Sequence, residues 1–251
     1  MKSAFAIRQF ALRFVVALML STGVAATVTP ALAAQPEPQA SFVSDRISVE
    51  VIGQGPDVIF LHGYASTREV WRPVAERLSG SYRVHLVQMA GFAGAPWTHG
   101  EGPYLQPMLD EVARYAGTLN EPAFIGHSMG GLSGLMLAQQ QPDLLSKVMT
   151  VDSLPFFGAL MDPSATAESV RPMAEQMSAV IRSAPAFLFR AQQQQTAVSM
   201  TLTEERRAEI VTASDGSDRQ ALATAIAELM TTDMRPVLAQ ITTPVWAVYA
   251  V

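Results

Sequence analysis

Short apolar runs alternate with longer helical patterns along most of this chain. Val58-Ile59-Phe60-Leu61 is continuously apolar, the pattern of a strand buried on both faces of a parallel sheet. Before it, Arg46 to Ile52 alternates, with Ile47, Val49 and Val51 on one face, which predicts a half-exposed strand. Gly53-Gln54-Gly55-Pro56 reads as the turn between them. Ser66 or Thr67 can cap a helix to about Leu78, with Val70, Trp71, Val74 and Leu78 near one face. Tyr82 to Met89 predicts a strand, and Pro103 to Leu119 a helix carrying Leu105, Met108, Leu109, Val112, Ala116 and Leu119 at helical spacing. Pro122 to His127 is the next strand, followed by a helix that ends near Gln141-Pro142, and Lys147 to Asp152 is another strand. This alternation implies an α/β fold with a mostly parallel sheet flanked by helices.

The rhythm breaks from about Pro155 to Arg235. Helical patterns fill this stretch: Ser164 to Ser183, Thr203 to Thr212, and a third that Ser217 can cap and that reaches Thr231. Gln192 to Gln195 read as a solvated helix face. An inserted helical cap over about residues 155–235 is therefore expected. Strand character resumes at Val245 and continues to Val251 as an uncharged, aromatic-containing sheet edge.

The N-terminus has a different character. Lys2, Arg8 and Arg13 precede the apolar run Phe14 to Leu20, and Ala31-Leu32-Ala33 fits a small-x-small cleavage site. Residues 1–33 read as a secretory signal peptide cut after Ala33 or Ala34, so the mature chain is expected to be exported to the periplasm or medium. The strongly apolar part is short for a membrane-spanning anchor. Gln35 to Pro38 then form a leader to a domain of residues 34–251. Losing Lys2, Arg8 and Arg13 takes the net charge from −5 to −8, which argues against nucleic acid and stable membrane association. Hydrophobic residues make up 49% and charged ones 16%, enough apolar surface for a full core. With no cysteine, a disulfide, a thiol nucleophile and a thiolate-bound metal are excluded.

The chemistry is concentrated where the strand Pro122 to His127 ends. Gly126-His127-Ser128-Met129-Gly130 places a serine between glycines at a strand-to-helix junction, the Gly-x-Ser-x-Gly pattern of an exposed nucleophile on a sharp turn. Gly131 and Gly134 leave room for the following helix to approach the sheet. Ester hydrolysis builds negative charge on the carbonyl oxygen, which backbone N–H groups can stabilise. The Met129 N–H, just after the serine, is one expected donor, and the Tyr64 N–H, in the His62-Gly63-Tyr64 turn after the earlier strand, is the other. A serine also needs a base, and the four histidines, His62, His85, His99 and His127, all precede Ser128. His62 is expected to buttress its loop by hydrogen bonds. His127 is expected to point away from the serine, and His85 and His99 to serve packing or the surface.

The motifs FLHGY, MAGFAG, GHSMGG, VMTVDSLPF and TPVWAVY, in this order over about Val43 to Val251, resemble the α/β-hydrolase superfamily. The resemblance implies a serine hydrolase: Ser128 as nucleophile, Tyr64 and Met129 as oxyanion donors, and an inserted cap. It implies no cofactor and no metal, and a small-molecule acyl substrate such as a carboxylic ester. A non-catalytic ligand-binding homologue and an acyltransferase are the alternatives. Phe156, Phe157, Met161, Phe187 and Phe189 give the cap an apolar character that suits an apolar acyl group. The family's acid and histidine match positions beyond Val251. The sequence is accordingly expected to be a C-terminally shortened form, with its last strand or strands missing and its activity impaired. Asp152 is an alternative acid position.

Overall fold

The computed structural model describes residues 42–249. The predicted signal peptide, the Gln35 to Pro38 leader and the last two residues of the final strand lie outside them. A single sheet organises the described residues, in strands β1 (Ile47–Ile52), β2 (Asp57–Leu61), β3 (Arg83–Met89), β4 (Ala123–His127), β5 (Lys147–Val151) and β6 (Val245–Val248). Their spatial order is β1-β3-β2-β4-β5-β6. Only β1 runs antiparallel to its neighbour; β2 to β6 pair in parallel.

Strand alternation sorts the core into two layers. Val58, Phe60, Val84 and Leu86 face one side, with Ala75, Trp71 and Leu78 packed on them. Those three residues come from α1 (Arg72–Leu78) and the short 3₁₀ turn Arg68–Trp71 that Thr67 caps. Ile59, Leu61, Val87, Met89, Phe124 and Val148 face the opposite side, the larger core. It is filled by α2 (Leu105–Ala116) and α3 (Met129–Gln140). Glycines, alanine and leucines make up much of α3, and ten of its residues are buried.

Four helices, α4 (Ala167–Ser183), α5 (Ala186–Met200), α6 (Glu204–Asp215) and α7 (Arg219–Thr231), lie between β5 and β6. Gln192 to Gln195 do sit on a helix, α5, of which only Phe189 and Ala197 are buried. The last of the four is part of the domain core: Leu222, Ala225, Ile226, Leu229 and Met230 join the same cluster as α2 and α3. Arg219 ties three of the helices together. Its guanidinium donates to the Ile181 and Ala184 carbonyls at the end of α4 (2.7 and 3.0 Å) and stacks 3.7 Å from the Phe189 ring of α5.

The cap of α7 is Asp218 rather than Ser217. The Asp218 carboxylate accepts from Gln220 N and Ala221 N at 2.8 and 2.9 Å, whereas the Ser217 hydroxyl bonds Ala93 N and Ala213 O. Both residue types cap helices well, and the choice is made by tertiary contact, because the Asp218 N–H donates to Gly91 O at 2.7 Å. Replacing Asp218 with alanine is expected to lower stability by about 1 kcal/mol, read as a shifted urea midpoint. An unchanged midpoint would show that the two cap bonds contribute nothing net.

Candidate active site

The junction of β4 and α3 is a sharp turn made by Ser128 itself, at φ 52° and ψ −118°. A non-glycine residue rarely adopts this region, and holding one there costs about 1–3 kcal/mol. The turn is fixed on both sides. Ser128 N–H donates to Val151 O (2.9 Å), Ser128 O accepts from Gly131 N (2.9 Å), and the buried Ser153 hydroxyl donates to Ser128 O at 2.7 Å. The flanking glycines are required by space. A methyl group on Gly126 would collide with Gly130 O and lie 2.5 Å from Gly131 N. One on Gly130 would collide with Leu61 O and lie 2.7 Å from His62 O, and one on Gly134 would lie 2.8 Å from the Phe124 ring. The start of α3 thus rests directly on the end of β2.

That contact brings the two predicted donor segments together. A methyl on Gly63 would lie 3.1 Å from Ser128 Cβ and 2.9 Å from His127 Nδ1, so the His62-Gly63-Tyr64 turn lies against the serine. Among the described residues, neither the Tyr64 N–H nor the Met129 N–H donates to a protein acceptor. Met129 is also the first residue of the twelve-residue helix α3, whose N-terminus carries partial positive charge.

The fully buried His62 fixes this turn. Its Nδ1 lies 2.8 Å from Gly63 O and its Nε2 accepts from Met89 N–H at 3.1 Å, which sets the tautomer with the proton on Nδ1. Burial pushes its pKa down from 6.5 to about 4. A charged His62 would turn a proton toward Met89 N–H, so the fold stabilises the neutral ring. The unfolded chain takes up the proton near pH 6.5 and the folded one only near pH 4. Stability from this residue is therefore complete above pH 6.5 and is lost as pH falls toward 4. His85 and His127 shift in the same direction, each chiefly through burial. Between pH 7 and pH 5 we expect a loss of about 2 kcal/mol from His62 alone. A urea midpoint that stays flat across that interval would contradict it.

The other histidines are engaged elsewhere. His85 is buried near the opposite end of the sheet, with Nε2 2.8 Å from Asp57 Oδ1 and Nδ1 2.6 Å from the Tyr115 hydroxyl. Burial would raise the pKa of Asp57, but hydrogen bonds from Arg83 and His85 outweigh it and hold the carboxyl low. This Asp-His-Tyr arrangement resembles a catalytic relay in composition only, because Asp57 begins β2 whereas the Gly63 turn follows that strand's end. His99 lies beside Asp45 on the surface, at 3.5 Å, and edge-on to Trp97. His127, next to the serine, is set against Gly63, and among the described residues no histidine is hydrogen-bonded to the Ser128 hydroxyl. Asp152 follows β5 at φ 44°, with its N–H donating to Val248 O and its charge felt at His127.

The five apolar residues expected to favour an apolar acyl group divide between packing and surface. Phe156, Phe157 and Phe189 are buried in helix packing, and Phe187 and Met161 are 71% and 64% exposed. Helices need such faces to pack, which the composition of the segment could not separate from a substrate pocket. Among the described residues, no group of three His, Cys, Asp or Glu side chains could hold a metal ion, and no helix is long and apolar enough to cross a membrane.

A family model described as "Alpha/beta hydrolase family" matches residues 58–250. The chain is similar to two enzymes named pimeloyl-[acyl-carrier protein] methyl ester esterase. The one from Aeromonas salmonicida is 37% identical over 113 residues and the one from Aeromonas hydrophila subsp. hydrophila 41% over 114. Each match covers 45% of this chain and 44% of the relative, so the similarity spans less than half the length of these curated relatives. Among solved structures, MenH from S. aureus superposes with a TM-score of 0.67 at 17% identity, over 80% of this chain and 78% of that one. The esterase EaEST from Exiguobacterium antarcticum gives 0.66 at 19%, over 80% and 75%. At such identities the likeness is one of fold.

Proposed function

The chain belongs to the alpha/beta hydrolase family, and from that premise we propose that it is a serine hydrolase of carboxylic esters with Ser128 as its nucleophile. The observation that carries this reading is the strained turn of Ser128 with the Gly63 turn packed against it. In the proposed reaction, Ser128 Oγ attacks the ester carbonyl and gives its proton to a base. The carbonyl oxygen becomes an oxyanion held by the Met129 and Tyr64 N–H groups at the positive end of α3. Collapse expels the alcohol, which takes up the proton, and water then releases the acid from the acyl-enzyme. The Aeromonas relatives act, by their names, on a methyl ester of a carrier-bound pimeloyl group. For this chain the proposal is limited to the shared chemistry, cleavage of a carboxylic ester in an acyl substrate. From the N-terminal pattern we also propose export, with cleavage after Ala33 or Ala34; a cell-associated product retaining Lys2 would overturn that.

Among the described residues no histidine is bonded to the Ser128 hydroxyl, so the nucleophile is tested with a base supplied from solution. Free imidazole supplies one. We expect the 251-residue chain to hydrolyse p-nitrophenyl butyrate in an imidazole-dependent manner, above the rate of imidazole alone, and a fluorophosphonate probe to label Ser128 and no other serine. Absence of both, in a chain with a folded circular-dichroism spectrum, would refute the esterase reading.

A further inference from the structure

We infer that the phenol of Tyr64 is a positioning group, which couples the oxyanion-donor peptide to helix α7; the inference rests on the esterase reading just given. The donor N–H of Tyr64 and the carbonyl of Gly63 belong to one planar peptide. Its carbonyl end is held by His62 Nδ1 at 2.8 Å. Its other end continues into the Tyr64 side chain, whose hydroxyl donates to Leu222 O on α7 at 3.0 Å, 158 residues away in sequence. The ring is pinned between these ends, edge-on to Phe92 at 5.6 Å, and Phe92 in turn stacks on Tyr104 at 5.0 Å. The next residue, Ala65, sits at φ 54°, so the turn beyond the donor is not one the backbone would choose unaided.

The segment that leads into α7, Gly216 to its cap Asp218, is stitched to the neighbouring loop as well. Asp218 N donates to Gly91 O (2.7 Å), Ala93 N to the Ser217 hydroxyl (2.9 Å) and Gly94 N to Gly216 O (2.8 Å). Helix α7 and the 91–94 loop thus form one body, and the Tyr64 phenol is the hydrogen bond from that body to the donor turn. Oxyanion donors act only within a few tenths of an ångström of their position, and a misplacement near 1 Å can lower a rate about a hundredfold. Displacement of α7 would therefore be transmitted to the Tyr64 N–H, and docking of this helix sets the oxyanion site.

The test is Tyr64→Phe in the full chain, which keeps the ring and the backbone N–H and deletes only the bond to α7. Tyr104→Phe is the matched control, since its phenol also donates to a backbone carbonyl (Ala90 O, 2.8 Å) in the same aromatic cluster but is not on the donor peptide. Two readouts apply. Hydrogen exchange of segments 60–66 and 216–224 is expected to accelerate about tenfold in Tyr64→Phe, confined to those segments, and in Tyr104→Phe to leave 60–66 unchanged. In fluorophosphonate labelling, Tyr64→Phe is expected to lower the maximal inactivation rate about tenfold while the half-saturating probe concentration stays within twofold; Tyr104→Phe is expected to change neither. If the parent chain labels and Tyr64→Phe labels at the same maximal rate, the coupling is wrong and the esterase reading survives. If the parent chain neither labels at Ser128 nor hydrolyses the ester with imidazole, the esterase reading fails, and unaltered exchange in 60–66 of Tyr64→Phe refutes the coupling by itself whether or not the parent labels. Equal changes in both variants would reduce Tyr64 to a packing residue and also overturn the inference.

Discussion

Replacing Ser128 by alanine is expected to reduce imidazole-supported ester hydrolysis to that of imidazole in buffer, a loss on the order of 10³-fold or more over a working nucleophile, with the fold intact. Glycine at the same position is expected to be equally inactive but more stable than either. The reason lies in the backbone. At φ 52° and ψ −118° the Cβ of a serine or alanine is crowded, and the strain of about 1–3 kcal/mol remains in Ser128→Ala. Ser128→Gly removes that crowding. It also adds freedom to the unfolded chain, an opposing effect of about 0.5–1 kcal/mol. The net expectation is a gain of about 1 kcal/mol for glycine and little change for alanine, measured as urea midpoints at pH 7. A site that holds a strained residue for its chemistry should show this split between stability and activity. A glycine variant less stable than the alanine variant by the full unfolded-state cost of about 0.5–1 kcal/mol would mean that the Ser128 turn stores no strain, and a Ser128→Ala chain that still hydrolyses the ester above the imidazole background would remove the nucleophile assignment.

The elbow was legible in the sequence because its constraints are local. Glycines at 126, 130 and 134 mark places where backbone or a ring comes too close for a methyl group, and all three lie within eight residues of one another in sequence, around the serine. The parallel strands were legible for a related reason: runs such as Val58 to Leu61 are buried on both faces, and their shortness between turn residues, Gly53 to Pro56 before and Gly63 after, marks strands rather than buried helices. Element ends shifted by one to three residues, as at Arg83, Leu105 and Ala116, where capping and fraying decide.

What the sequence left open depends on contacts between distant segments. The apolar stripe of α7, with Leu222, Ala225, Ile226 and Leu229, fits a cap helix and a core helix equally well; it becomes a core helix because α2 and α3 offer the matching surface. Helix α5 was half visible, since its glutamines read as a solvated face but its few apolar residues gave no clear stripe. The histidines divide along the same line. His62 was placed correctly as a buttress because it follows a buried strand directly. Nothing local shows that His85, inside a strand, would meet Asp57 and Tyr115, since strand order alone brings those three together. Likewise the phenylalanines of the helical segment carried no mark separating packing from substrate contact.

The same residue change at two glycines should have opposite outcomes. In Gly126→Ala the new methyl collides with Gly130 O, an atom of the α3 backbone, which cannot rotate aside as a side chain would. Relief requires α3 to move away from β4, yet Gly130 and Gly134 hold α3 against the end of β2 and the Phe124 ring, and ten residues of this helix are buried. Moving it opens the core, so a loss of about 3–5 kcal/mol is expected, within reach of the total stability of an ordinary domain. Gly80, in the turn after α1, has nothing within 4 Å of its hypothetical Cβ. Gly80→Ala restricts the unfolded chain without a collision and is expected to be neutral or to stabilise by up to about 1 kcal/mol. Urea midpoints for the two variants, measured side by side at pH 7, should fall on opposite sides of the parent chain or nearly so. A Gly126→Ala chain as stable as the parent would mean that β4 and α3 are not in the close contact on which the Ser128 turn depends.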